Sequence, residues 1–282
     1  LKLMIPTLFA VSISQINLII DMVMASFLIS GSISWLYYSD RLMEFPLGVF
    51  GVALATVILP NLSEKHARGE SHNFSHMLNW ALKWVFLISI PAAIGLMLLA
   101  GPMLSTIFQH GEFTPYHVEM TARSLLAYAI GLPGFILIKV LASGYFSRQD
   151  TKTPVKIGVI AMFSNIIMNF IFIGPLAHAG LALATSLAAF INAGLLFYFL
   201  RKGQFYIAED GWSVFILRIV FASSIMSALL FFMSPNISLW AEWDLYTRIM
   251  QLGLWIIAGG MSYFSTLWLT GLRLQSMTLN AD

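Results

Sequence analysis

The chain has 282 residues, of which 59% are hydrophobic and 10% charged, with a mean hydropathy of +0.82. A soluble domain carries about 25% charged residues, so this composition assigns the chain to the membrane. The lack of cysteine excludes a disulfide framework, a thiol nucleophile and a thiolate metal site, and the formal net charge of +2 says less than the placement of the charges.

A spanning helix needs about 20 mostly apolar residues. In chain order, eight stretches meet that requirement: 3–29, 34–62, 80–108, 118–146, 154–174, 177–200, 212–234 and 247–271. The fifth and sixth lie so close that only a tight hairpin can join them. The chain opens at Leu1, already inside an apolar segment and without a signal-peptide pattern. The expectation is a piece of a longer protein, lacking its N-terminal part. Lys2, Lys65, Arg68, Arg148, Lys152, Lys156, Arg201, Lys202 and Arg273 fall on one set of loops and ends. The opposite loops, 30–33, 109–117, 175–176 and 235–246, hold no lysine or arginine. The positive-inside rule therefore predicts that both ends of the chain are cytoplasmic. Trp240, Trp243 and Tyr246 suit an aromatic belt at the outer interface.

The first span carries Asp21 near its middle, with Asn17 one turn earlier on the same face. A lone carboxylate at that depth must be paired, protonated, ion-bound or wet. The second span opens with DRLMEFPLGVFGVALATVILP, residues 40–60. Ser34, Arg41, Glu44 and Gly48 share one helical face, and Pro46 predicts a kink. This pattern fits an anion site inside a membrane protein; it equally fits charges that mark a helix end at the water interface.

The longest polar break, Ser63 to Asn79, contains His66, His72 and His76. Their spacing makes no compact metal trio, and a solvated loop is the better reading. In HGEFTP, residues 110–115, Thr114 is placed to cap a helix starting at Pro115. Glu119 and Arg123 are spaced for a helix pair. Gly131, Pro133 and Gly134 predict a bend in the fourth span. Asn165 and Asn169 share a face of the fifth span, and Thr185 and Asn192 share a face of the sixth. Oxygen ligands from Asp, Asn and Thr suit a hard cation such as sodium. Interhelical hydrogen bonding accounts for the same residues. No nucleotide loop, dinucleotide fingerprint or hydrolytic motif is present, so the chain does not read as an enzyme.

The stretch DRLMEFPLGVFGVALATVILPNLS resembles the signature helix of the MurJ (MviN) family of bacterial lipid II flippases, within the superfamily that includes the MATE multidrug exporters. FQHGEFTP, GYFSRQDTKTPVKIG and GLALATSLAAFINAGLL extend the resemblance over essentially the whole chain. It implies an all-α polytopic membrane protein with eight transmembrane helices. These comprise a six-helix lobe, residues 1–205, and two further helices, residues 206–282, with a groove for a lipid tail. It implies a bacterial inner-membrane location and a role, shared with a missing N-terminal half, in moving the undecaprenyl-diphosphate-linked peptidoglycan precursor to the outer leaflet.

By the same resemblance, Arg41 contacts the substrate diphosphate, Glu44 positions or releases Arg41, and Ser34 lines the cavity. Asp21, Asn165 and Thr185 fall on sodium-ligand positions of some members. Asn169 stands where the sodium-binding pattern has an aspartate, which puts sodium coupling in doubt. A MATE-type cation antiporter, another polysaccharide-lipid flippase and a non-transporting scaffold are the alternatives; Arg41 counts against the cation antiporter.

Overall fold

A computed structural model describes residues 4–233 and 237–272, and all regular structure among them is helical. Lys2 and Arg273 of the basic set lie outside the described residues. So do positions 234–236, at the end of the seventh predicted span and the start of the outer loop, and the end of the chain from 273. Helix α1 (Met4–Ser26) is followed by α2 (Ser32–Pro46), a π-helix (Leu47–Val52) and α3 (Ala53–Ala67). Then come α4 (Ser71–Leu98), α5 (Ala100–Phe108), α6 (Pro115–Phe146), α7 (Lys152–Leu176) and α8 (His178–Lys202). The last three are α9 (Trp212–Met233), α10 (Ile237–Glu242) and α11 (Leu245–Leu269). Among the described residues, seven helical stretches are long and apolar enough to cross a membrane, and Gln15–Ser26 of α1 is a shorter apolar helix beside them. The chain is an all-α polytopic membrane protein.

Several local expectations are corrected. The polar break at 63–79 is mostly helix, because α3 runs to Ala67 and α4 starts at Ser71. Only residues 68–70 turn the chain, with Gly69 at φ +72°. The third predicted span breaks at Leu99, between α4 and α5. Pro115 starts α6 and Thr114 is its N-cap residue, but the Thr114 side chain makes no capping bond. Of the aromatic residues near the outer loop, Trp240 is fully buried and Tyr246 is exposed.

Gly131, Pro133 and Gly134 do not interrupt the helix: α6 continues through all three. The glycines serve close helix packing instead. A Cβ on Gly131 would lie 2.6 Å from Ser186 Cβ, and one on Gly134 would lie 3.3 Å from backbone atoms of Ala189 and Phe190. The Ser186 hydroxyl donates to the Ala127 carbonyl at 2.7 Å, which satisfies a polar group at the same crossing. Between α7 and α8 the hairpin is a single residue, Ala177, at φ 49°.

One apolar core joins α2, α3, α4, α6 and α8. A second holds α9 and α11 against α4, with Leu87, Phe215, Ile219, Leu230 and Tyr263 among its buried members. Polar bonds pin this pair at both ends. At one end, the fully buried Asn79 of α4 accepts from the Tyr206 hydroxyl at 2.8 Å and the Trp212 indole at 3.0 Å. Its amide donates to the carbonyls of Ile207 (2.7 Å) and Ser75 (3.0 Å). Lys83 pairs with Glu209 at 2.8 Å beside it. Burial pushes the Tyr206 phenol up to about 12, so it remains a donor to Asn79 at neutral pH. At the other end, Arg248 of α11 donates to the Ser105 carbonyl in the last turn of α5 at 3.1 Å. Unpaired carbonyls at a helix C-terminus are a natural partner for a guanidinium.

Candidate functional site

Helix α2 has two faces of opposite character. Trp35, Ser39, Leu42, Met43 and Pro46 are buried. Ser34, Tyr37, Arg41, Glu44 and Gly48 recur at helical spacing on the other side and are exposed. Arg41 Nη1 donates to Glu44 Oε2 at 2.7 Å, and its guanidinium carbon sits 5.0 Å from the Tyr37 ring centroid. The guanidinium is thus held along the helix while remaining more than half exposed. It can present two parallel N–H donors to an anion, a geometry that suits phosphate oxygens.

Directly after this face the helix changes register. Pro46 cannot supply a backbone N–H, and Leu47–Val52 runs as a π-helix. Gly51 lets this wider turn press on α6: a Cβ there would meet Ile136 Cγ1 at 3.4 Å. Short π segments are frequent at functional sites.

The second polar cluster lies where α1, α7 and α8 meet. Asn169 of α7 donates to Asp21 Oδ1 at 2.6 Å. The Thr185 hydroxyl of α8 lies 3.0 Å from Asp21 Oδ2 and 3.1 Å from the Leu181 carbonyl, and it accepts from the Asn165 amide at 3.1 Å. Asn169 also donates to Asn165 Oδ1 at 3.0 Å. Asp21, Asn165 and Asn169 are all buried. The structure therefore brings Asp21, Asn165 and Thr185 into one hydrogen-bonded group, with Asn169 as its central donor. The side-chain oxygens of Asn169 and Asn17 are buried without a partner.

This donor set bears on a sodium ion. Each oxygen of Asp21 faces an N–H or O–H donor, Asn169 on one side and Thr185 on the other. In this arrangement both Asp21 oxygens are engaged by donors, while Asn169 Oδ1 and Asn17 Oδ1 stay without a partner. Among the described residues no three His, Cys, Asp or Glu side chains converge on a metal-sized site, His66, His72 and His76 included.

Arg123 and Glu119 form the predicted pair, at 2.8 Å on an exposed helix face. Spacing alone did not reveal the roles of Asn79 or Arg248, whose partners lie more than a hundred residues away in sequence.

The family model described as "Lipid II flippase MurJ" matches residues 1–251. A "Probable lipid II flippase MurJ" of Vibrio cholerae serotype O1 is 50% identical over 275 residues, covering 98% of this chain and 52% of the relative. A solved "Lipid II flippase MurJ, inward closed conformation" superposes with a TM-score of 0.79 at 31% identity, over 94% of this chain and 53% of the other. An outward-facing MATE family transporter superposes with a TM-score of 0.65 at 16% identity, over 94% of this chain and 62% of the other. That last likeness is one of fold. The chain spans about half the length of the curated relatives it matches.

Proposed function

Since this chain belongs to the lipid II flippase MurJ family, we propose that it forms the second half of an alternating-access transporter that moves lipid II from the inner to the outer leaflet of the bacterial cytoplasmic membrane. The observation that carries this reading is the Arg41–Glu44 pair on the exposed face of α2. Arg41 binds the lipid-linked diphosphate, Glu44 holds the guanidinium between cycles, and Ser34 lines the same cavity. In this reading the opposite wall comes from the part of the full-length relatives that this chain does not span. Residues 1–205 act as the lobe. The two following helices, held on α4 by their own core, offer a surface to the polyprenyl tail.

The process needs no covalent step. Both ends of the chain are cytoplasmic in this reading, supported by the one-sided lysines and arginines. The Asp21 cluster works as an internal hydrogen-bond network rather than a sodium site, because Asn169 donates where a ligand carboxylate would accept.

A cation antiporter on the same scaffold would favour acidic and aromatic side chains over an exposed arginine. Comparing lipid diphosphates with organic cations as ligands of the full-length protein separates the two. Saturable binding of the diphosphate that is lost in Arg41→Ala supports the flippase reading. Binding of organic cations alone refutes it.

A further inference from the structure

Trp35 lies on the buried stripe of α2, six residues before Arg41, and is 1% exposed. Its indole is enclosed from several sides. The Nε1–H donates to Nδ1 of His117 on α6 at 2.9 Å. The ring of His178, at the start of α8, lies 4.8 Å away centroid to centroid, and Tyr116 meets the indole edge-on at 5.8 Å. Gly31, at φ +100°, leaves room for the ring, since a Cβ there would lie 2.7 Å from Trp35 Cζ2. This side chain ties the end of α2 next to Gly31 to α6 and α8, beside the apolar contacts of Leu36.

Both imidazoles have defined protonation patterns here. An indole nitrogen only donates, so His117 Nδ1 must carry a lone pair. The Met120 carbonyl only accepts, so His178 Nε2 must carry the hydrogen, at 2.9 Å. His178 Nδ1 is buried without a partner, and a proton there would be an unpaired buried charge.

The surrounding charges do not offset such protons. Arg123 of α6 acts electrostatically on His178 and is itself paired with Glu119. Tyr116 and Phe113 flank His117, and the loop before α6 carries His110 and Glu112. The one histidine–carboxylate contact among the described residues is elsewhere, between His76 and Glu209 at 3.8 Å.

We propose that Trp35 is the positioning residue that sets the rotation of the arginine-bearing helix, and that its seat closes only on neutral His117 and His178, so that acid on that side of the membrane releases it. The consequence for transport rests on the flippase reading; the clasp itself does not. Trp35 fixes which side of α2 faces the lobe, and so fixes Arg41 on the side facing away. The released state can take up a proton on His117 that the closed bond excludes, so lowering the pH favours release.

The chain has no cysteine, so spin labels can be placed at Ile33→Cys on α2 and Leu126→Cys on α6 without competition. Both positions are exposed. Distances between the labels are measured by double electron–electron resonance in phosphatidylethanolamine–phosphatidylglycerol nanodiscs at pH 7.5 and 5.5. The clasp predicts a shift toward a longer or broader distance at the lower pH. In His117→Gln the amide oxygen still accepts from Trp35 but does not titrate, so the response shrinks to the share due to His178. In Trp35→Phe the released distribution should appear at both pH values. An unchanged wild-type distribution between the two pH values overturns the proposal, and so does a His117→Gln response equal to the wild type's. No lipid substrate enters the measurement, so its failure is distinct from failure of the flippase reading.

Discussion

Asn169 on α7 donates to Asp21 on α1 at 2.6 Å, across 148 positions of sequence. Two residues that would each be costly alone in hydrocarbon become partners at the meeting of three helices. The amide also reaches Asn165 on its own helix, so one side chain serves both ends of the cluster.

Replacing that amide by a carboxylate tests what the network is for. Asn169→Asp places two carboxylates within contact of each other, which destabilises the site unless a cation or proton enters. Sodium should then stabilise the variant over matched potassium, by about 2.7 kcal/mol at a hundredfold excess over its dissociation constant. The unaltered chain should show no such sodium-specific shift in thermal unfolding. A sodium-specific stabilisation of the unaltered chain would contradict the network reading.

The polar weld at Asn79 predicts a loss concentrated at the junction with the last two membrane helices. Asn79→Leu leaves the Tyr206 hydroxyl, the Trp212 indole and the Ile207 carbonyl without their partner. The expected cost is about 3–5 kcal/mol, since each stranded buried group costs roughly 1–3. Thermal unfolding and limited proteolysis should both show it, with cleavage appearing in residues 203–211. A variant as stable and as protected as the parent would show that apolar packing alone holds α9 and α11.

Two glycines on neighbouring helices should answer oppositely to the same change. Gly131→Ala drives a methyl into Ser186 and should cost about 1–3 kcal/mol by overpacking the α6–α8 crossing. Gly48→Ala meets nothing within 4 Å and should be neutral or slightly stabilising in this chain. Melting temperatures of the two variants in the same detergent check the contrast. Equal effects would mean that the close approach at Gly131 is not a fixed feature of the fold.

Much of the architecture was legible because hydrocarbon imposes a blunt rule on length and polarity. The helices around Asn165, Thr185 and Arg41 follow from apolar runs, and helical spacing alone puts Ser34, Arg41, Glu44 and Gly48 on one face. The same reasoning read Gly131 and Gly134 as an interruption, whereas the helix runs on through them and each glycine is a small surface for a packed neighbour. It read Asn169 as the loss of a ligand carboxylate; the two hydrogens on its amide nitrogen go to Asp21 and Asn165. Residues 63–79 read as a loop from their polarity, yet they are mostly helical because a helix can continue beyond the apolar slab. Asn79, Trp35 and Arg248 gave no local signal: their partners come from distant segments, and only the packed fold brings them together.

The central claim concerns Arg41, and lipid II flipping per correctly inserted molecule of the full-length protein tests it most directly. Arg41→Ala should reduce flipping at least about a hundredfold, with folding and insertion unchanged, as expected when a charged group that grips phosphate is removed. Arg41→Lys should restore only part of the activity, because a point charge does not replace a planar pair of donors. Normal flipping by a well-folded Arg41→Ala protein would contradict the account.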